Sequence, residues 1–341
     1  MTVKDIARLA GVSPSTVSRV LNSPDNSFAS EKVRNRIWDV VHETGYVPNP
    51  TAKSLRKSGG GPKAESNKNL ACILAKTRRP QDNPFFAEIA RAAEQQALQM
   101  GYAIPYYFTL FDASNQSVIQ RVLSTDIGGV FALGRFDSSS TLDFLSSRYE
   151  TIVYSGITGT DNNWDQVICN GYEIARTAMR HLLDYGHTRI GYVGETRHEI
   201  RFTGYKDALT DAGLPFSPDL IGRCTMNGEE GYAAANALIS HASRLPTAIF
   251  CANDITAISV LRLLRKKGLR VPADISLMGA DDIPMSSVVT PSLSTVSVPK
   301  GDMGRLAIRV LIDRINKMHR LPMKIFLPYK LIIRESTRKI T

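Results

Sequence analysis

Residues 13–22, SPSTVSRVLN, place Ser15, Ser18, Arg19 and Asn22 on one side of a helix turning about 100° per residue, with Val17, Val20 and Leu21 opposite. An exposed helical face is ordinarily filled by Glu and Lys, whereas these are short hydroxyls, an amide and a forked guanidinium. Such groups suit hydrogen bonding to base edges and phosphate oxygens better than they suit bulk water. A second polar set stands just after apolar runs in the body of the chain: Lys76 to Arg79, Gly134 and Arg135, Ser155, Asn253 and Asp254, Asp281 and Asp282. Guanidiniums and carboxylates there can each take two neighbouring hydroxyls. Other roles stay open: Asn253 and Asp281 can cap local structure, and Phe85 and Phe86 taken by themselves can simply pack the helix that follows.

The elements that must hold the first set are short helices. Thr2 with Asp5 resembles a capping box; Ile6, Leu9 and Ala10 share a face, and Gly11 stops a helix over Lys4 to Ala10. Ser13 suits an N-cap and Pro14 the first helical position, so a second helix follows at once. A third begins after Ser30, with Val33, Ile37, Val40 and Val41 at core spacing, and stops at Gly45. Three short helices in so few residues make a helix-turn-helix module over 1–49. In NPTAKSLRKS, residues 49–58, Pro50 and Thr51 can start about two further turns, too few to be stable alone. KSGGGPKAESNKN, residues 57–69, lacks apolar anchors and reads as a linker. Residues 50–69 are therefore hinge and linker.

From 70 to 341 short apolar runs alternate with helical segments. LACILA, GGVFAL, TIVYS, RIGYVG, TAIFCAND and DISLMGAD read as buried parallel strands, separated by helices near 86–100, 170–185, 201–212, 228–242 and 254–267. The fold class is thus an all-α head on a doubly wound α/β core. Its length favours two lobes with a cleft between them: a first lobe of about 70–165 and 299–321, a second of about 166–298 and 322–341. Ligands in such sheets sit beyond the carboxyl ends of the strands, which is why the post-strand residues are singled out.

Composition excludes several classes. Of the 341 residues 43% are hydrophobic and 22% charged, as in ordinary globular proteins. Cys72, Cys169, Cys224 and Cys251 stand singly, with no metal-ligand spacing, and read as buried thiols in a reducing compartment. No leader and no long apolar run occurs, so a cytoplasmic location without membrane contact is expected. The net charge is +10, and residues 1–63 hold ten Lys and Arg against five acidic residues. That balance suits a polyanionic partner, although charge alone also serves solubility. His187 in YGHTRIGYVG is expected to fix a turn, since no nucleophile motif accompanies it, and no catalytic residue, metal or cofactor is expected.

TVKDIARLAGVSPSTVSRVLN and GYVPNPTAKSLR together resemble the LacI/GalR class of bacterial transcription regulators, and RFTGYKDAL, CANDITA and GADD follow in that family's order. The resemblance implies a periplasmic-binding-protein-like core and a repressor that binds a near-palindromic operator in double-stranded DNA as a homodimer. It implies base reading by Pro14, Ser15 and Arg19, and phosphate contacts from Ser13, Thr16, Ser18 and Asn22, with Asn49 at the head of the hinge. Leu55, by spacing an ordinary apolar residue, becomes a minor-groove wedge. Arg201, Asn253 and Asp281 are implied to contact a small-molecule effector, with Phe85 and Phe86 as an apolar wall and Arg135 and Ser155 nearby.

A sugar or glycoside is the expected effector, a purine or sugar phosphate the alternative; Arg135 suits either a hydroxyl or a phosphate. There are departures from the family pattern. Ser155 replaces a carboxylate and Met226 an aromatic, and Val298 and Pro299 replace a polar residue of the lactose-responsive member. The competing classes are a sugar-binding protein and an enzyme with an appended DNA-binding segment. The second would need a nucleotide motif, and SGGGPK, in the linker, lacks the Ser or Thr of a phosphate loop.

Overall fold

The computed structural model describes residues 3–22, 29–44, 67–75, 79–109, 126–136, 139–225, 227–241 and 244–340. The expectations for Asn49, Leu55, the hinge helix, the linker before Asn67, Lys76 to Arg78 and Met226 lie outside these residues, as does the side chain of Asn22.

The head is formed by α1 (Val3–Ala10), α2 (Pro14–Asn22) and α3 (Glu31–Thr44). Its core joins Ile6, Ala7 and Ala10 to Val17 and to Ile37, Trp38 and Val41. Leu9 does not join it: it is 51% exposed, because the buried arc of α1 passes through positions 6, 7 and 10. Gly11, at φ 65°, supplies the left-handed residue that ends α1, and Val12 N–H reaches back to the Ala7 carbonyl at 3.0 Å.

In the core, β1 (Asn69–Leu74), β2 (Ala103–Thr109), β3 (Gly129–Leu133), β4 (Ile152–Gly156), β5 (Asp165–Ile168) and β11 (Lys324–Phe326) form one parallel sheet in the order β11-β5-β4-β3-β1-β2. A second parallel sheet runs β7-β6-β8-β9, from β6 (Ile190–Gly194), β7 (Ile221–Arg223), β8 (Ala248–Cys251) and β9 (Ser276–Met278). A small antiparallel pair joins β10 (Thr295–Ser297) to β12 (Lys330–Ile332). Helices α4 (Pro84–Gln99), α5 (Ser139–Arg148), α6 (Gly171–Asp184), α7 (Ile200–Asp211), α8 (Gly228–His241), α9 (Asp254–Lys266) and α10 (Lys300–Ile315) cover the sheets. The six apolar runs each contribute a buried strand, as their composition requires.

The lobe boundaries differ from those expected. Residues 165–168 belong to the first sheet, so the chain leaves that lobe after Ile168, and it leaves again only after Phe326. β5 is hard to read because it begins Asp-Gln. Asp165 is buried where Arg314 holds it through two hydrogen bonds of 2.8 and 2.9 Å, with His319 at 3.0 Å and the Met323 N–H at 2.8 Å. The expected helix boundaries lie within a few residues of those observed. α10 packs closely on α4; a Cβ at Gly304 would lie 2.2 Å from the Ile89 carbonyl oxygen, so only glycine permits that approach.

All four cysteines are buried thiols. His187 is also buried: Nδ1 meets Thr247 Oγ1 at 3.0 Å and Nε2 meets the Arg338 carbonyl at 3.1 Å. It ties the α6–β6 turn to the C-terminal segment, a structural role. Among the described residues no helix is long and apolar enough to cross a membrane.

Candidate functional site

On the head, α2 presents the polar face expected of it. Val17 is buried, Val20 and Leu21 are half-buried, and Ser13, Pro14, Ser15, Ser18 and Arg19 are exposed. Ser13 caps the helix, accepting the Thr16 N–H at 3.1 Å, and its hydroxyl also meets Ser15 Oγ at 2.7 Å and Thr16 Oγ1 at 2.8 Å. The hydroxyls at the helix start therefore form a linked cluster, with the Arg19 guanidinium about a turn further along.

The second site is a cavity of about 440 Å³ between the two lobes. The first lobe contributes Asp82, Asn83, Phe85, Phe86, Gly134, Arg135 and the Gly156–Thr158 turn. Facing them are Glu195, Glu199, Arg201, Thr225, Asn227, Asn253, Ile255 and Asp281 of the second. Six of the seven expected residues thus meet here, although up to 196 positions separate Phe85 from Asp281 in the chain. Phe85 and Phe86 stand edge to face, with centroids 5.3 Å apart at 82°. Gly134, at φ 92°, lets Phe86 lie close, since a Cβ would sit 3.1 Å from that ring.

Ser155 is the exception. Its side chain is wholly buried within β4 and does not reach the cavity; the strand runs one residue further than its apolar stretch, and Gly156 meets the cleft instead.

The electrostatic centre is Glu199, which sequence reasoning missed. It caps α7, accepting the Arg201 N–H at 3.1 Å, and its carboxylate also takes Arg201 Nε at 2.8 Å and Arg201 Nη2 at 3.3 Å. From the other lobe Arg135 Nη1 reaches the same carboxylate at 2.8 Å and the His198 carbonyl at 3.0 Å, while Nη2 pairs with Glu195 at 2.7 Å. Burial alone would raise the Glu199 pKa, but Arg201 and Arg135 together hold it below its ordinary value. Arg135 is therefore an ion pair across the cleft as well as a lining residue. The signal that could have found Glu199 is the same that found Asn253: a capping residue where a helix starts at the carboxyl edge of a sheet.

Arg201 is buried and donates to the Ala252 carbonyl at 2.7 Å, with Asp281 at 3.9 Å. Asn253 both caps α9, accepting the Thr256 N–H at 2.9 Å, and lines the cavity, so its two expected roles coexist. Asp281 and Asp282 occupy the left-handed region at φ 113° and 54°, a conformation costing non-glycine residues about 1–3 kcal/mol each. Buried Lys300 holds them there, donating to their carbonyls at 2.6 and 3.0 Å. Asp254 also clamps the segment, accepting from Ile283 N–H, Ser286 Oγ and Thr295 Oγ1 at 3.0, 2.7 and 2.7 Å. Burial pushes the Asp281 carboxyl up to about 8 against the pull of Arg201, so near neutrality it carries a proton to donate.

The arrangement can grip a ligand by hydrogen bonds and an aromatic wall.

Known family models match both the head and the core. Residues 2–49 match the model of bacterial regulatory proteins of the lacI family, and residues 179–337 that of the periplasmic binding protein-like domain. The ribose operon repressor of Haemophilus influenzae is 32% identical over 98% of this chain and 98% of its own. The repressor PurR of Pasteurella multocida is 29% identical over 99% and 98%. Among solved structures, a complex of the transcriptional regulator CelR with cellobiose shares 26% identity at a TM-score of 0.75, covering 98% of this chain and 99% of that one. A lac repressor dimer bound to operator, at 22% identity and a TM-score of 0.71 over 99% of both chains, shares the fold. With a matched head, a matched core and 32% identity along nearly its whole length, the chain belongs to the LacI family of bacterial regulatory proteins and is a transcriptional repressor, not an enzyme.

Proposed function

We propose that this repressor acts in the cytoplasm as a homodimer on a near-palindromic operator, and that a sugar or glycoside bound between the lobes controls its grip on DNA. One recognition helix spans too few base pairs to specify a site, so two related by a two-fold axis are required. Pro14, Ser15 and Arg19 read bases, Arg19 by a bidentate contact to guanine, while Ser13, Thr16, Ser18 and Asn22 hold phosphates, Asn49 contacts DNA at the head of the hinge and Leu55 enters the minor groove.

The observation that carries the effector reading is the meeting of Arg201, Asn253 and Asp281 with the Phe85–Phe86 wall in one interlobe cavity. Hydroxyls take the polar groups and an aromatic face covers the C–H side of a ring. The relatives named for ribose and cellobiose favour this class. A purine is the second reading, favoured by the PurR relative and by the same aromatic wall. Effector binding shifts the lobes and, through them, the spacing of the paired hinges, so ligand and operator bias one equilibrium reciprocally.

Operator selected from random duplexes, then titrated by fluorescence anisotropy with and without D-ribose, cellobiose or hypoxanthine, tests this. A sugar is expected to change operator affinity by about 5- to 150-fold, in either direction. A response to hypoxanthine alone replaces the sugar, and an operator without two-fold symmetry overturns the dimeric mode.

A further inference from the structure

The cleft is built like an anion site and then filled by the chain's own groups. Helices α4, α7, α8 and α9 all begin at the cavity, which Phe85, Arg201, Gly228 and Ile255 line from their first turns. Converging helix N-termini ordinarily attract phosphate through free N–H groups and the helix dipole. Here each start is capped from within. Asn83 accepts the Phe85 N–H at 2.9 Å, Glu199 the Arg201 N–H at 3.1 Å, Asn227 the Glu230 N–H at 2.9 Å and Asn253 the Thr256 N–H at 2.9 Å. Pro84 has no N–H to offer.

The cationic side chains are engaged in the same way. Arg135 is paired with Glu195 and Glu199, and Arg201 with Glu199. Among the described lining residues, the carboxyls of Asp82, Glu195, Glu199 and Asp281 outnumber the guanidiniums of Arg135 and Arg201 by two. Lys300 lies behind the wall, turned to the carbonyls of Asp281 and Asp282 and to Glu88 at 3.6 Å. Even with Asp281 drawn toward its neutral form by burial, the described lining carries an excess of at least one negative charge.

We propose that this cleft admits an uncharged polyhydroxylated effector and rejects the same sugar once phosphorylated, with Glu195 and Asp82 as the residues that set the discrimination. The proposal rests on the sugar-effector reading above and narrows it. Among the described residues, a phosphate entering here meets carboxylates in a partly desolvated site, and the lining cations Arg135 and Arg201 are both already paired. An uncharged hydroxyl instead accepts from Asn amides and donates to the carboxylates, leaving the pairs intact.

Calorimetric titration of the full chain at pH 7 with D-ribose, D-glucose and cellobiose, with D-ribose 5-phosphate and D-glucose 6-phosphate, and with hypoxanthine tests this. An uncharged sugar is expected to bind, and its phosphate at least about 100-fold more weakly. A phosphate binding as tightly as its parent sugar overturns the proposal while leaving a sugar site in place. Binding of hypoxanthine alone, or of none of these, overturns the sugar reading and the proposal with it. Charge is separated from steric exclusion by an E195Q/D82N double variant. It is expected to narrow the affinity ratio of sugar to phosphate about 10-fold or more. An unchanged ratio there means that shape, not charge, excludes the phosphate, and the proposal fails.

Discussion

The face of α2 and the interlobe cleft achieve recognition in opposite ways. On α2 the polar residues lie within ten positions of one another, stand exposed, and rest on a small core that they do not join. In the cleft the corresponding groups come from segments far apart in the chain, are mostly buried, and are one another's partners: Glu199 holds two arginines, one from each lobe. Past the Ser13 cap, removing a polar side chain from that face takes no apolar packing out of the head core. A side chain in the cleft is at once ligand contact, cap and ion-pair partner, so specificity and stability there cannot be changed separately.

The largest effect should come where the cleft is most interdependent. Glu199→Ala strips buried Arg201 of its carboxylate partner, removes one of the two carboxylates paired with Arg135 and leaves α7 uncapped, and is expected to lower stability by about 3–5 kcal/mol in urea unfolding. An unchanged midpoint would show the cleft to be as modular as the head. Next, Arg201→Ala should abolish the change in operator affinity on adding effector, a loss of about 1–3 kcal/mol of coupling, while the ligand-free protein still binds operator. Wild-type effector affinity in that variant would remove Arg201 from the site. Arg19→Ala should cost about 1–3 kcal/mol in operator binding and relax preference at one position per half-site, with a much smaller shift of the urea midpoint than Glu199→Ala. A destabilised head in that variant would erase the contrast drawn here.

A further effect is a pH dependence set in and beside the cleft. Asp281 and Asp254 have folded pKa values raised by burial, to about 8 and about 6, above the ordinary carboxylate value near 3.8. The folded state thus binds more protons than the unfolded one between those limits, so their contribution to stability is full below about pH 4 and is lost as pH rises through 6 and 8. The stability of wild type relative to Asp281→Asn should accordingly fall between about pH 4 and 8. A difference that rises over that window would reverse the assigned protonation.

Much of the molecule was legible because its signals are local. The head was read from caps and stops: Ser13 before Pro14, Gly11 after Ala10. The six apolar runs marked the central strands, and the rule that ligands sit beyond strand ends located Arg135, Asn253 and Asp281 on the cavity. The same rule erred at Ser155, where β4 continues one residue past its apolar stretch and turns that side chain inward. It passed over Glu195 and Glu199, which look like solvated charges in GETRHEIRF until Arg135 is brought to them from 60 and 64 positions away. β5 and β11 were missed because a buried Asp-Gln and a short lysine-led run carry no apolar pattern; their pairing depends on Arg314, His319 and Met323 folding back over Asp165.

By itself the sequence determined the head, the alternation of strands and helices, and the polar types offered at each end of them, since all of these follow from periods and caps spanning a few residues. Only the tertiary structure decided which charges meet. Whether an arginine in the cleft waits for a ligand or is already held by a glutamate is set by distances between lobes, and no local pattern encodes those.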